Sequence, residues 1–275
     1  MSDWQTPPLS HPLYAALQDI AIPDDLHDWP SQEAYDALLT LNAGRIGFPL
    51  RFALDDEPDA YYEVHIGHTG DVPTRSRNWH DWFNAMAWLA WPRTKQALNM
   101  RHLRAISRGE TRRGPLRDAA TLLDECGVLV ATSDPALGKR IDDMQWEELF
   151  VQERSAWGKC ITAMTLGHAL FETGLRPFIG WCGKALVVEV DDTFFTHDSA
   201  AQRDWLDAWL AERLADDAWL ASPRALWPLP LLGIPGWWGA NEHPDFYANR
   251  DYFRASRRTK SSTVTASSPS KTPES

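Results

Sequence analysis

Apolar residues recur at helical spacing over 12–20 and 31–42, and each stretch predicts a helix. Ser31 stands where an N-cap belongs and Gly44 lies just past the second helix. "GFPLRFAL" (47–54) and "YYEVHI" (61–66) predict short strands on either side of the turn-like "DDEPDA". A helix follows over about 78–90, and Pro92 opens another, "PRTKQALNMRHLRAIS", at a position where proline is tolerated. "TLLDECGVLVATS" (121–133) reads as a hairpin, two β-rich runs flanking Asp124, Glu125, Cys126 and Gly127. Helices are expected over 135–143 and 145–157, then a short strand and a helix from about Gly167. "KALVVEV" (184–190) predicts a strand, and 199–216 an amphipathic helix with Trp205, Leu206, Trp209, Leu210 and Leu214 on or beside one face. From Pro223 prolines and glycines forbid long regular elements, while the apolar content argues for packing on the body. The expected fold is α+β, a single mixed domain over 1–254. It is mainly helical with a small antiparallel sheet, and a serine-, threonine- and proline-rich tail (255–275) is expected to be disordered.

The helix over 78–90 has two unlike sides. At about 100° per residue, Arg77, His80, Asp81 and Asn84 share one side, and Trp88 and Trp91 continue it. Trp79, Trp82, Phe83, Met86 and Leu89 occupy the other. A helix apolar nearly all round is buried, so its polar start must find partners or lose several kcal/mol to desolvation. The expectation is a cleft or buried polar network with Trp88 and Trp91 as its floor. At the helix start, free N–H groups, the capping residue Asn78 and the nearby Arg75 and Arg77 offer a place for an anion. The plainer alternative is a structural cap with solvated arginines.

Two further clusters add to this picture. Lys95, Asn99 and His102 align at spacings of four and three on one face of the next helix. His168 and Glu172 stand one turn apart in "GHALFE" and are able to share one proton or one metal. Asp124 and Glu125 read most simply as turn residues. Each cluster has a plain structural alternative, a solvated face or a satisfied histidine. Together they suit a hydrolase, and a divalent metal is compatible with them. No zinc-protease helix, nucleophile elbow, phosphate-binding glycine loop or dinucleotide fingerprint is present.

Composition narrows the field. The 275 residues are 44% hydrophobic, enough for a sizeable core. A net charge of -11 disfavours non-specific nucleic-acid binding, although the arginines of "RHLRAISRGETRRGPLR" (101–117) offer one local basic strip. Three cysteines without a close pair read as reduced, mostly buried thiols. No secretory signal and no apolar run of about 18 residues is visible, so the cytoplasm is expected and no membrane span. Fifteen tryptophans imply heavy aromatic packing or an aromatic-lined pocket.

The words "VPTRSRNWHDWFNAMAWLAWPRTKQALNMRH" (72–102), "TLLDECGVLVA" (121–131), "WEELF" (146–150), "GHALFE" (167–172) and "LLGIPGWWGANEHPDFYANRDYFR" (231–254) carry a resemblance. From about residue 30 to 254 the chain resembles the domain-of-unknown-function family 3025. The resemblance implies a bacterial source and one shared domain, and it transfers no activity to any residue.

Two functions are weighed ahead of a third, a nucleic-acid enzyme or binder using the arginines of 101–117, which the net charge makes the least favoured. The first is a hydrolase for a small anionic, for example phosphorylated, substrate. His80, Asp81, His168 and Glu172 would be its acid–base groups, and Arg75, Arg77, Asn78, Asn84, Lys95, Asn99 and His102 its substrate contacts. The second is a non-catalytic ligand- or protein-binding module whose recognition surface is Trp88, Trp91, Trp237 and Trp238.

Overall fold

A computed structural model describes residues 4–5, 7–110 and 112–255. It is mainly helical with two small sheets, an α+β fold. The tail expected to be disordered lies, beyond Ala255, outside the described residues.

The chain opens with a 3-10 turn (Pro12–Leu17) and helix α1 (Gln32–Leu41), whose N-cap Ser31 accepts from the Ala34 N–H as expected. Strand β1 (Arg51–Leu54) follows. Residues 61–66, expected as a strand, form helix α2 (Tyr62–Thr69) instead. Glu63 and Ile66 lie one turn apart on its cavity side, and Gly67 packs so closely on the neighbouring helix that an added Cβ would meet Leu103 Cδ1 at 2.2 Å. Gly70 ends α2 in the left-handed conformation (φ 78°), which glycine adopts without strain. The true partner of β1 is β2 (Asp71–Thr74), paired with it in parallel from Arg51–Asp71 to Leu54–Thr74. The segment 55–70 is thus an excursion pinned at both ends.

Helix α3 (Trp79–Ala90) starts at the predicted cap, with Asn78 Oδ1 accepting from the Asp81 N–H at 3.1 Å. Its apolar side packs on an aromatic cluster, the Trp79 ring lying 4.8 Å from Trp4 and 4.7 Å from Trp29. Helix α4 (Pro92–Ser107) begins at the predicted proline. The expected hairpin at 121–133 is overturned. Residues 115–126 form helix α5 (Pro115–Cys126), which runs straight into β3 (Gly127–Thr132). Leu116, Ala119, Ala120 and Leu123 recur at helical spacing and Pro115 occupies the first turn, a signal that outweighs the turn propensity of Asp124 and Gly127.

Helix α6 (Pro135–Asp142) leads to β4 (Ile161–Thr165), with a five-residue π turn (Glu148–Gln152) and a 3-10 turn (Arg154–Ala156) in place of the helix expected over 145–157. Helix α7 (His168–Thr173), β5 (Cys182–Glu189), α8 (Ser199–Leu214) and β6 (Trp227–Pro230) complete the regular structure. The main sheet has the order β4-β3-β5-β6. Its two outer pairings are antiparallel, as expected, and its central pairing, β3 with β5, is parallel. β3 is buried along its whole length.

α3 packs on α7 through Phe83 and Phe171, whose rings lie 5.9 Å apart, and the Tyr14 hydroxyl donates to the Phe171 carbonyl at 3.0 Å. Among the described residues, no helix is long and apolar enough to cross a membrane. The three cysteines are free thiols, but none is fully buried as expected: Cys126 and Cys160 are half-buried and Cys182 is exposed.

Candidate functional site

A cavity of about 550 Å³ opens between α2, α3, α4 and α5. Two helices supply its long walls by the same spacing. α4 presents Lys95, Asn99 and His102, and α5 presents Arg117, Thr121 and Asp124, each at steps of four and three. The helices run antiparallel, so the ends of the two rows meet. Lys95 Nζ donates to Asp124 Oδ1 at 2.5 Å, and Arg117 Nε donates to His102 Nδ1 at 3.3 Å. Between these rungs, the side chains of Asn99 and Thr121 make no hydrogen bond among the described residues.

At the Lys95 end the wall continues onto α3 and α7. Lys95 is buried, donates also to Asn84 Oδ1 at 2.8 Å, and lies 5.3 Å from the Trp88 ring centre. Asn84 passes the network on by donating to the Tyr62 hydroxyl at 2.8 Å. Burial holds the Tyr62 phenol above its usual range, so it stays protonated. Burial also works on Asp124, but the Lys95 ammonium beside it, by charge and hydrogen bond, opposes the desolvation, and the carboxyl lies below the usual carboxylate range.

The histidines meet here. His168 Nδ1 lies 2.8 Å from the Asp124 carbonyl, which only accepts, so Nδ1 carries the ring proton and Nε2 a lone pair. Burial pushes the His168 pKa down to about 3, so the ring is neutral at pH 7. Gly167 permits this approach. A Cβ there would stand 2.4 Å from the Glu125 carbonyl, so a larger residue would force α7 off the end of α5. The His168 Nε2 faces His80 Nε2 at 3.1 Å, and His80 Nδ1 faces Glu172 Oε2 at 3.2 Å. The His80 ring therefore bridges positions i and i+4 of α7. Two lone pairs cannot face each other at that distance. The proton between the two rings is therefore supplied by His80 Nε2, and the Glu172 carboxylate stands within hydrogen-bond reach of Nδ1.

The expected residues are thus partly gathered and partly not. His80, Asp81, His168, Asn84, Lys95, Asn99, His102 and Arg75 all line the cavity, and Glu172 reaches it through His80. The expected pairing of acids with histidines changes. Glu172 orients His80 from the opposite helix rather than serving His168 on its own. Asp81 orients neither ring: its carboxylate accepts from the Arg75 N–H at 2.7 Å and takes the Arg75 guanidinium with both oxygens.

The anion site expected at the start of α3 is correspondingly filled by the protein. Arg75 is spent on Asp81, Asn78 on the cap, and Arg77, exposed, does not line the cavity. Trp88 forms part of the floor, whereas Trp91 is fully buried behind it and donates to the Thr165 carbonyl at 3.2 Å. Asp124 is a wall residue of a helix, not a turn residue.

Sequence reasoning missed Tyr62, Glu63, Arg113, Arg117 and Thr121, which also line the cavity. The first two were hidden by reading α2 as a strand. The α5 residues repeat the spacing already noticed on α4, which was the available signal. The basic strip over 101–117 divides. Arg101 is fully buried, Arg104 and Arg108 pair with Asp217, and Arg113 and Arg117 face the cavity.

Facing ring nitrogens are also an arrangement that two metal ligands adopt. Among the described residues, however, no group of three or more His, Cys, Asp or Glu side chains is placed to hold an ion.

The chain belongs to the family of proteins of unknown function DUF3025, whose model matches residues 50–257 and so includes the whole cavity. No curated protein and no solved structure matches it.

Proposed function

We propose that this DUF3025 protein is a hydrolase for a small anionic substrate bound in the cavity, with His80 as the group that moves the proton. One observation carries the reading: the His80 ring is gripped at both nitrogens, by Glu172 and by a His168 fixed as a lone-pair donor. A ring held this way is ready to give a proton to a leaving group and to take one from the attacking water. His168, neutral and desolvated, would hold the ring in place by accepting the Nε2–H without taking the proton, and Glu172 would steady the ring whenever it carries the extra proton. The Lys95 ammonium, the Tyr62 hydroxyl and the Asn84 amide stand around the same end and would steady charge that develops on the reacting group.

The binding-module alternative fits less well. Trp237 is buried and Trp238 half-buried, so neither offers the exposed anchor that docking a partner requires. A nucleic-acid role also loses its physical basis, since the arginines of 101–117 do not share a face. Three free thiols agree with a cytoplasmic setting.

The test is a panel of phosphomonoester, phosphodiester and carboxylic ester substrates, run on wild type and His80→Ala, with metal analysis of both proteins. We expect turnover of at least one class, reduced about 10²–10⁴-fold in His80→Ala with KM nearly unchanged. Equal activity in the two proteins would sink the role of His80. Metal that copurifies with wild type and disappears in the variant would convert the histidine pair from proton carriers into ligands.

A further inference from the structure

Two rungs, Lys95–Asp124 and Arg117–His102, connect α4 and α5, and the Asn99–Thr121 position between them is open. Asn99 is 8% exposed, lines the cavity and has no hydrogen-bond partner among the described residues. Its amide opens onto the cavity, where a bound ligand can engage it. Thr121 faces the same space from α5 with its hydroxyl equally unengaged.

His102 contributes a third donor. Arg117 is always protonated, and its Nε–H points at His102 Nδ1, so Nδ1 must accept. The ring proton then sits on Nε2, which has no partner among the described residues. Glu63 Oε1 lies 3.6 Å from Nδ1, too far to pull a proton onto it. Burial, the largest influence on His102, pulls the same way and keeps the ring neutral. Arg113 lines this end of the cavity and makes no ion pair among the described residues. The carboxylates nearby are Glu63, which lies 3.7 Å from the Arg117 guanidinium, and Glu110.

We infer that Asn99, Thr121, His102 and Arg113 form a second binding subsite, which takes an anionic oxygen group, a carboxylate or a phosphate, on the part of the substrate remote from the bond that His80 acts on. Three neutral donors and one unpaired cation match a group with several acceptor oxygens. The inference rests on the hydrolase reading for its link to turnover but not for the binding itself. Lys95 and His102 are seven residues apart, about 10 Å along the helix axis. The substrate is accordingly bifunctional, with its reacting group at the Lys95 end and its anionic group about two helical turns away.

The experiment uses the full-length, 15N-labelled protein and reads the histidine ring nitrogens by long-range proton–nitrogen NMR. Inorganic phosphate and acetate are titrated in separately, with chloride at matched ionic strength as the control. The expected result is a saturable shift of the His102 Nε2–H signal with phosphate or acetate and none with chloride. The anion that saturates first identifies the group. Asn99→Leu and Arg113→Gln should each weaken that binding about tenfold, and His80→Ala should leave it unchanged. Three results overturn the subsite: no saturable shift at His102, shifts confined to His80 and His168, or a His102 ring protonated on Nδ1. Loss of anion binding in His80→Ala would do so as well. A wild-type protein that binds the anion yet turns over none of the substrate classes would leave the subsite standing and remove the hydrolase reading instead.

Discussion

Helix α4 separates two polar regions of opposite character. Behind it, toward α8, Arg93, Thr94, Arg101 and Arg104 meet acceptors brought from residues more than a hundred positions later. Asp207 accepts the Arg93 and Thr94 N–H groups at 3.2 and 2.8 Å and so caps the helix from α8. Arg101, with no exposed surface, directs Nη2 at the carbonyls of Asp217, Trp219 and Leu220, although its Nε and Nη1 find no partner. Arg104 takes Asp217. In front of α4 lies a cavity of about 550 Å³, with Asn99 and Thr121 unengaged and His102 Nε2 without a partner among the described residues. Both regions are polar, buried and built on the same helix. The rear is closed by the protein's own carbonyls and carboxylates. The front leaves donors aimed into a space large enough for a small molecule. Buried polarity alone therefore marks nothing as functional. What marks the front is unsatisfied polarity that opens onto a cavity, whereas the unpartnered Arg101 nitrogens at the rear are sealed from solvent.

This contrast can be broken by substitution. Arg101→Ala should have the largest effect on stability, about 3 kcal/mol, because it leaves three buried carbonyls without their donor and opens a void. Urea unfolding measures it, and turnover per folded molecule should be unchanged. A loss under about 1 kcal/mol would mean that the rear network is not structural.

The front should show itself in pH dependence. The His168 pKa is about 3 when folded and 6.5 ordinarily. Between those values the unfolded chain binds a proton that the folded chain refuses. The stabilising contribution of His168 is therefore complete above about pH 6.5 and is lost as pH falls toward 3, at up to about 1.4 kcal/mol per pH unit. His168→Gln should flatten melting temperature against pH in that window, and an identical slope in the variant would contradict the buried neutral ring. The smallest effect belongs to Asn99→Leu. Since no partner is lost, stability should move by less than about 0.5 kcal/mol or rise, as at other sites where function is kept at the expense of stability. A loss above about 1 kcal/mol would place Asn99 with the rear residues.

Much of this was legible beforehand, and the failures have identifiable causes. α3 was readable because one helix carries its own cap, a tryptophan-rich back and a polar front, all within reach of local pattern. α4 was readable from Pro92 and from the row Lys95, Asn99 and His102. α2 was not, because "YYEVHI" alternates in a way that fits a strand as well as a short helix. What settles it is the close seat of Gly67 against Leu103 of α4. α5 was misread because attention to the turn residues Asp124 and Gly127 cut through a helical repeat that begins at Pro115.

The sequence by itself determined that α3 and α4 exist, where they begin, and which side chains each offers on its polar face. These follow from capping chemistry and the 3.6-residue period, which act between neighbours in the chain. Only the tertiary structure decided how those faces meet: that His80 spans His168 and Glu172, and that Asp207 closes α4 from behind while Asn99 is left open in front. Each of these depends on packing between residues tens to more than a hundred positions apart, and no local periodicity encodes the register of such contacts.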